Sequence, residues 1–236
     1  MKKILVLAGG FGSRLKTVVS DVPKPLAPVC GKPFLEYLIE HLVSQGAKDL
    51  VLLLHYEAAL IQATFTEGLH RSGLTDFTIT SIIEDRPLGT GGAIINAISA
   101  FNITESFLVV NADTWLGGGL QELSLSPPSS IAALTMKDCS RYGSLVVNHG
   151  KIERFIEKSV SQNGGLVNAG LYHLSPEIFM GYSKNTNLSL EDEIFPKLVC
   201  SNLYAVLLDV DFIDIGIPED YFRFCSWIES GKKIEL

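Results

Sequence analysis

A glycine-rich segment near the N-terminus is the first stretch whose residue types could do chemistry. It reads Leu7-Ala8-Gly9-Gly10-Phe11-Gly12-Ser13-Arg14-Leu15 and starts at the end of an apolar run that predicts a buried strand. Ligands bind at the carboxyl ends of strands in open α/β sheets. Glycines let backbone N–H groups approach an anion, and Arg14 adds a fork of donors that suits phosphate oxygens. The segment is either a phosphate-binding loop or a tight turn with a solvated arginine.

Two common nucleotide-binding motifs do not fit this segment. A Rossmann fingerprint that starts at Gly10 needs a third glycine where Leu15 stands. A Walker loop needs Gly-Lys-Ser/Thr where this chain has Ser13-Arg14. The missing glycine disfavours a nicotinamide dehydrogenase, which stays as an alternative.

A lysine between two prolines follows shortly after the loop. Pro23 and Pro25 restrict the backbone on both sides of Lys24 and give it a rigid mount. A second cation so close to Arg14 could share the same phosphate chain. Pro-Lys-Pro segments also occur in ordinary loops, so the lysine alone indicates little.

Two aspartates end predicted apolar strands. Asp113 follows the run from Phe107 to Val110, and Asp214 ends a second apolar segment. Mg²⁺ prefers oxygen ligands and usually binds through one or two carboxylates plus substrate phosphates. The pair could therefore hold Mg²⁺, although an aspartate after a strand also often caps a helix.

The elements that must position these residues alternate along the first half of the chain. Strands are predicted at residues 3–8, 50–54, 77–83 and 107–110, and helices at 34–43, 58–65 and 91–101. Closely spaced strands follow at 131–136, 143–147, 151–156 and 166–173, with a hairpin turn at Asn148-His149-Gly150. Helices at 176–180 and 190–199, strands within 203–214 and a helix at 218–228 complete the pattern. We expect one domain, residues 1–236, with a three-layer α/β/α Rossmann-like fold and a mixed, mostly parallel central sheet.

Charge and cysteine content exclude several classes of protein. The 236 residues include 19 Lys and Arg against 26 Asp and Glu, a net charge of −7, which argues against a nucleic-acid partner. The four cysteines, Cys30, Cys139, Cys200 and Cys225, lack the spacing of a zinc or redox site. The N-terminal apolar run is too short for a signal peptide, and no apolar stretch nears the ~20 residues of a spanning helix. We expect a soluble cytoplasmic protein with no membrane partner.

The motifs together resemble one family over nearly the whole chain. In chain order they are residues 7–15, Pro23-Lys24-Pro25-Leu26, Gly31-Lys32-Pro33, Pro87-Leu88-Gly89-Thr90-Gly91-Gly92-Ala93, Asn111-Ala112-Asp113, Tyr142-Gly143, Phe155-Ile156-Glu157-Lys158, Val167-Asn168-Ala169-Gly170 and Asp214-Ile215-Gly216-Ile217-Pro218-Glu219-Asp220-Tyr221. This series resembles the sugar 1-phosphate nucleotidyltransferases, most of all the D-glycero-D-manno-heptose 1-phosphate guanylyltransferases.

The resemblance implies a role for each matching residue. Arg14 and Lys24 would be catalytic cations, and Asp113 and Asp214 would bind Mg²⁺. The nucleotide-binding residues would be Leu7, Ala8, Gly9, Gly10, Gly12, Ser13, Glu84, Gly89, Thr90 and Asp113. The sugar phosphate would be held by Tyr142, Gly143, Glu157, Lys158 and Asn168. Residues 1–125 would then form a nucleotide-binding half and residues 126–236 a sugar-phosphate-binding half. Three residues depart from the family pattern: Ser13 replaces a usual threonine, Ala112 a glycine and Ser159 a proline.

The implied reaction transfers a nucleoside monophosphate from a nucleoside triphosphate to a sugar 1-phosphate and releases pyrophosphate. GTP and D-glycero-D-manno-heptose 1-phosphate are the expected partners, and the product would serve surface polysaccharide synthesis. A uridylyl-, cytidylyl- or thymidylyltransferase acting on a hexose 1-phosphate, or a GDP-mannose pyrophosphorylase, stays open. The alternative from another class is a regulatory module that binds a nucleotide sugar without chemistry. The oligomeric state cannot be read from the sequence.

Overall fold

A computed structural model describes residues 2–12, 14–72, 75–156, 163–199 and 201–231, without the side chains of 66–72 and 163. The chain divides into two compact units, each built from separated segments. Unit 1 comprises Met1–Pro87, Asn111–Gly118 and Asp211–Leu236, and unit 2 comprises Leu88–Val110 and Gly119–Val210. Each unit draws on segments from both sides of residue 125. The single domain with two halves therefore stays a prediction.

Thirteen strands are found in the described part of the chain. They are β1 (Ile4–Leu7), β2 (Pro28–Val29), β3 (Lys32–Pro33), β4 (Asp49–Leu54), β5 (Thr78–Ile83), β6 (Phe107–Asn111), β7 (Thr114–Leu116), β8 (Ser130–Asp138), β9 (Ser144–Asn148), β10 (Lys151–Ile156), β11 (Asn163–Leu174), β12 (Tyr204–Leu208) and β13 (Phe212–Asp214). The α-helices described there are α1 (Phe34–Ser44), α2 (Ala58–Ser72), α3 (Gly89–Ala100), α4 (Leu120–Leu125), α5 (Phe195–Val199) and α6 (Pro218–Glu229). Short 3₁₀ helices cover Leu15–Thr17, Lys24–Leu26 and Pro176–Phe179, and a π-helix covers Leu190–Ile194.

Unit 1 contains a parallel arrangement of three strands. β4 lies between β1 and β5 and pairs in parallel with both, with Ile4 opposite Leu50 and Asp49 opposite Thr78. Five of the six residues of β4 are buried, as expected for a parallel strand that is covered on both faces. The apolar residues of α1 recur at helical spacing and are buried, which explains why this segment is a helix.

Unit 2 is mainly antiparallel. Its strands lie in the order β6-β11-β8-β12-β10-β9, and the pair β8 and β12 is parallel while the other neighbours are antiparallel. The loop between β9 and β10 is formed by His149 and Gly150, both with positive φ. Two such residues make the hairpin turn whose twist matches the flanking strands, so the predicted turn is confirmed.

Several predicted elements differ in detail from those observed. The predicted helix at 176–180 is a 3₁₀ turn, and the predicted helix at 190–199 is a π-helix followed by α5. The predicted strand region 203–214 is split into β12 and β13. Strand β7 was not expected, and it proves important for the site. No helix among the described residues is both long enough and apolar enough to cross a membrane.

Candidate active site

The glycine-rich segment forms a loop directly after β1 in unit 1. A hydrogen bond fixes the C-terminal end of this loop: the backbone N–H of Leu15 donates to the carbonyl of Gly12 at 3.2 Å. Gly12 has a φ of +58°, and a Cβ placed there would lie 2.6 Å from the Cβ of Lys24. A side chain at Gly12 would therefore be strained and would also collide with Lys24. The loop needs a glycine at this position in order to pack against the lysine.

Lys24 lies close to the carboxylates of both Asp113 and Asp214. It begins a 3₁₀ helix between Pro23, which is extended, and Pro25. Its Nζ lies 2.6 Å from Oδ2 of Asp113 and 3.8 Å from Oδ1 of Asp214. Only 10% of the Lys24 side chain is exposed. The lysine is therefore an internal partner of both aspartates and not a solvated loop residue.

A short two-stranded ladder brings the two aspartates together. β7 and β13 pair antiparallel, with Asp214 opposite Thr114 and Phe212 opposite Leu116. The backbone N–H of Ile215 donates to the carbonyl of Asp113 at 2.9 Å. Asp113 directly precedes β7, and the residue that caps α6 is Ile217. Neither aspartate caps a helix, so the alternative that the sequence left open does not hold.

The two carboxyl groups differ in pKa because their surroundings differ. Burial raises the pKa of Asp113, but the charge of Lys24 and hydrogen bonds from Lys24 and Thr114 outweigh it, so the net pKa is lowered. Burial and the neighbouring charge of Asp113 raise the pKa of Asp214, and Lys24, the Gly216 N–H and Arg14 offset only part of this. Asp113 is thus the more firmly ionised of the pair.

An open cavity of about 200 Å³ lies over these residues within unit 1. Its walls are formed by Leu7, Ala8, Gly10, Gly12, Arg14, Lys24, Pro25, Ala112, Asp113 and Gly216. Seven of these were predicted as site residues, and the structure brings them to one place. Pockets for whole drug-sized ligands measure about 300–1,000 Å³, so the cavity is smaller than a site for a whole ligand of that size. Gly9 lies in the same loop but is not among the residues that line the cavity.

Some predicted site residues in unit 1 stand apart from the cavity or outside the described residues. Glu84 follows β5, is buried, and accepts a hydrogen bond on its backbone carbonyl from Nδ1 of His55 at 3.0 Å. The His55 ring also meets Phe11 of the glycine loop edge-on, with ring centroids 5.9 Å apart. Phe11 and His55 thus connect the loop to the end of β5, where Glu84 lies. Ser13 lies outside the described residues.

The predicted residues of unit 2 form a second group. Gly89 and Thr90 begin α3. The backbone N–H of Asn168 donates to the carbonyl of Gly143 at 3.0 Å, which brings these two predicted sugar-phosphate residues together with the adjacent Tyr142. A Cβ at Gly143 would meet no atom within 4 Å, so the space beside it is open. Glu157 and Lys158 lie outside the described residues.

The aspartate pair suits a divalent cation. No group of three or more His, Cys, Asp or Glu side chains in the described part of the chain could hold a metal ion. Mg²⁺, however, commonly takes one or two carboxylates and completes its shell with substrate phosphates and water. Asp113 lines the cavity and its side chain is 38% exposed, whereas Asp214 does not line the cavity and its side chain is 28% exposed beside Lys24. The donor set therefore fits such an ion once a nucleotide is present.

Sequence reasoning missed several residues of these groups. Pro25, Ala112 and Gly216 line the cavity although they were not named as ligands. A Cβ at Gly216 would lie 2.8 Å from Oδ1 of Asp214, so its presence in the Asp214-Ile215-Gly216 motif was an available signal. Glu191 of unit 2 accepts hydrogen bonds from Thr90 and Tyr172. No motif pointed to this residue.

The sequence matches the family model described as Nucleotidyl transferase over residues 3–230. This chain belongs to that family. The nucleotidyltransferase is similar to D-glycero-alpha-D-manno-heptose 1-phosphate guanylyltransferase of Campylobacter jejuni subsp. jejuni serotype O:2, with 36% identity over 221 residues. The alignment covers 93% of this chain and 97% of the relative. It is 34% identical to Mannose-1-phosphate guanyltransferase 2 of Candida glabrata, with 93% of this chain and 62% of that longer relative covered.

Solved structures agree with this assignment. The nucleotidyltransferase is similar to HddC from Yersinia pseudotuberculosis complexed with GMP-PN, with a TM-score of 0.82 and 36% sequence identity. The similarity covers 97% of this chain and all of the HddC chain. The predicted family, enzyme class and Rossmann-like α/β fold with a mixed sheet are therefore confirmed. The alternative of a nicotinamide dehydrogenase is set aside.

Proposed function

We propose that this nucleotidyltransferase transfers a guanylyl group from GTP to D-glycero-α-D-manno-heptose 1-phosphate and releases pyrophosphate. The observation that carries the proposal is the cluster of Lys24, Asp113 and Asp214 beneath the glycine loop. The sugar and the base are taken from the names of the relatives that are similar over more than 90% of the chain. The product would be a nucleotide sugar for surface polysaccharide synthesis in the cytoplasm.

The glycine loop, Arg14 and Lys24 can bind a triphosphate. Gly10, Gly12 and Arg14 line the cavity of about 200 Å³. Backbone N–H groups and a guanidinium are donors to phosphate oxygens, and Lys24 offsets the repulsion between the two carboxylates. When bound, Mg²⁺ would neutralise phosphate charge at Asp113 and Asp214. Neutralisation of this kind lowers the repulsion between the two anionic substrates.

The proposed reaction needs no general base. The nucleophile is an oxygen of the sugar 1-phosphate, and a phosphate monoester has its second pKa at about 6, so it is already ionised at neutral pH. This agrees with the absence of histidine among the described residues that line the cavity. Catalysis then consists of in-line positioning and charge neutralisation, in which Arg14 and Lys24 meet the charge that develops on pyrophosphate.

The preference for guanine is assigned to Glu84. Guanine presents two adjacent donors, N1–H and the exocyclic N2–H, and a carboxylate can accept both. Uracil and thymine offer one donor flanked by carbonyl groups, which a carboxylate would repel. Glu84→Gln should therefore narrow the preference for GTP over UTP by roughly ten- to a hundredfold in kcat/KM. Asp85→Asn, which alters the exposed neighbour, serves as a matched control.

The experiment that tests the proposal is pyrophosphate release by purified protein. GTP, UTP, CTP and dTTP are each combined with D-glycero-α-D-manno-heptose 1-phosphate, mannose 1-phosphate and glucose 1-phosphate. The proposal requires release that depends on the heptose phosphate and is fastest with GTP. Faster release with mannose 1-phosphate would favour the second candidate, a mannose-1-phosphate guanylyltransferase, to which the Candida glabrata relative points. Nucleotide binding without pyrophosphate release in any combination would favour a regulatory module.

The metal requirement is tested separately. Pyrophosphate release should be lost in EDTA and restored when Mg²⁺ is added.

A further inference from the structure

A single carboxylate in unit 2 collects hydrogen bonds from three hydroxyl groups. Glu191 lies in the π-helix Leu190–Ile194, and its Oε2 accepts from Oγ1 of Thr90 at 3.0 Å and from Oγ of Ser189 at 3.4 Å. Its Oε1 accepts from the hydroxyl of Tyr172 at 3.3 Å. An ionised carboxylate only accepts hydrogen bonds, so it can serve all three donors at once. π-Helical turns occur frequently at functional sites.

The hydroxyl of Thr90 makes two hydrogen bonds in this group. It donates to Glu191, and its oxygen accepts the backbone N–H of Leu190 at 2.8 Å. A threonine hydroxyl has one proton, so none remains for a nucleotide. The contribution of this side chain is therefore to join the start of α3 to the start of the π-helix. Towards a nucleotide, the Thr90 hydroxyl could therefore only accept a hydrogen bond, through its second lone pair.

The hydroxyl of Tyr172 connects the same carboxylate to Asn168. Nδ2 of Asn168 donates to the Tyr172 oxygen at 3.1 Å, and Oδ1 of Asn168 accepts the backbone N–H of Gly170 at 3.0 Å. A backbone N–H can only donate, so the amide atom that faces Gly170 is the oxygen. Hydrogen bonds therefore run in one direction, from Asn168 to Tyr172 to Glu191. Tyr172 is fully buried and its ring packs against Phe195, so its hydroxyl is held in place.

We propose that Glu191 is a positioning residue for the sugar 1-phosphate, acting through Tyr172 on the side-chain amide of Asn168. This inference rests on the proposed function, because Asn168 is there a sugar-phosphate ligand. With its oxygen on Gly170 and one N–H on Tyr172, the amide keeps one N–H and one lone pair for a sugar hydroxyl. Glu191 keeps the Tyr172 oxygen available as an acceptor for this amide, and together with the Gly170 N–H it fixes the orientation of the amide. The negative charge makes Glu191 a strong acceptor, because hydrogen bonds to charged groups are stronger than those between neutral groups.

Two substitutions break the connection at different points. Tyr172→Phe removes only the hydroxyl and keeps the buried ring. Glu191→Gln replaces the charged acceptor with an amide whose NH₂ group faces hydroxyl donors. Both should raise the KM for the sugar 1-phosphate about tenfold, equivalent to ~1.4 kcal/mol. Tyr172→Phe should leave the KM for GTP unchanged. The double variant should be no worse for the sugar than Glu191→Gln alone, because both act through the same amide.

Glu193→Gln is the matched control. It removes the same charge from the same turn, on an exposed side chain whose partner is the backbone N–H of Ser189, and the amide oxygen can still accept that bond. The experiment measures pyrophosphate release with each substrate varied in turn, together with melting temperatures. A sugar-specific rise in KM for both variants, absent in Glu193→Gln, supports the proposal. Equal rises in both KM values with a lower melting temperature would indicate a merely structural role and overturn it.

The two levels of the proposal fail in different ways. Wild-type protein without sugar-dependent pyrophosphate release would refute the proposed function. Active wild-type protein whose Tyr172→Phe variant keeps the wild-type KM for the sugar would refute the role of Glu191 alone. If Glu191→Gln does not fold, Tyr172→Phe still decides the question, because its ring packing against Phe195 is retained.

Discussion

Replacing Gly12 by alanine should damage the active site through Lys24. The substitution places a methyl group in a backbone conformation with φ of +58°, and its carbon would lie 2.6 Å from the Cβ of Lys24. Carbon atoms attract optimally at about 3.5–4.0 Å, so the two groups must separate by roughly 0.9 Å. The loop or the lysine must move to provide this space. Such a movement would disturb the ion pairs of Lys24 with Asp113 and Asp214.

Two costs to folding can be separated. A non-glycine residue in the left-handed region costs about 1–2 kcal/mol, and crowding of a packed contact adds about 1–3 kcal/mol. Gly12→Ala should therefore lower the free energy of unfolding by roughly 2–5 kcal/mol, the sum of both. A shift of Lys24 by nearly 1 Å should also reduce kcat/KM by about a hundredfold, the effect of a comparable misplacement in other active sites.

Two other glycines provide controls for these costs. Gly31 has a φ of +79° with no atom within 4 Å of a Cβ placed there. Gly31→Ala should therefore lower the free energy of unfolding only through its backbone conformation. Gly10 has no atom within 4 Å and no positive φ, so Gly10→Ala should keep its stability, although its methyl group would enter the cavity and raise the KM for GTP. Urea unfolding and pyrophosphate release are measured for all three variants.

The comparison between Gly12→Ala and Gly31→Ala decides the matter. Equal losses of unfolding free energy, together with wild-type turnover of Gly12→Ala, would show that the methyl group is accommodated without moving Lys24. The close approach would then have no role in the site. Reduced turnover in Gly12→Ala with normal turnover in Gly31→Ala is the expected result.

The remaining predictions concern the charges of the site and one buried histidine. Arg14→Ala and Lys24→Ala should each lower turnover by about 10²–10³ at saturating GTP, measured by pyrophosphate release; near wild-type turnover in both would refute their catalytic role. Asp113→Asn and Asp214→Asn should abolish metal-dependent release while circular dichroism stays unchanged, and full activity of wild-type protein in EDTA would refute the metal site. Burial lowers the pKa of His41, partly offset by its hydrogen bond with the carbonyl of Leu116. Because the unfolded chain then binds the proton more readily, the unfolding free energy should fall as pH drops below about 6.5, by at most ~1.4 kcal/mol per pH unit, and His41→Phe should remove this slope.

The local order of the site was predictable from the sequence. An apolar run predicts β1, and the glycines that follow it predict a loop at the strand end, because backbone preferences are local. The pair His149 and Gly150 predicts its hairpin turn for the same reason. Seven of the ten residues of the cavity wall were found through motifs, most of whose members lie close together in sequence, as in Leu7 to Arg14. The roles attached to them came from resemblance.

The tertiary structure decided which distant groups meet. Asp113 and Asp214 become neighbours through the β7–β13 ladder, and β7 is too short to give a periodic signal of its own. Lys24 reaches both carboxylates because Gly12 permits close packing. Glu191 joins Thr90 to Tyr172 although no pattern connects these positions in the sequence. Hydrophobic periodicity reports which face of an element is buried, whereas a hydrogen bond between side chains depends on sub-ångström placement by the whole packed fold. For this reason the sequence by itself determined the loop, its cations and the family, and only the folded chain determined how the charges are paired.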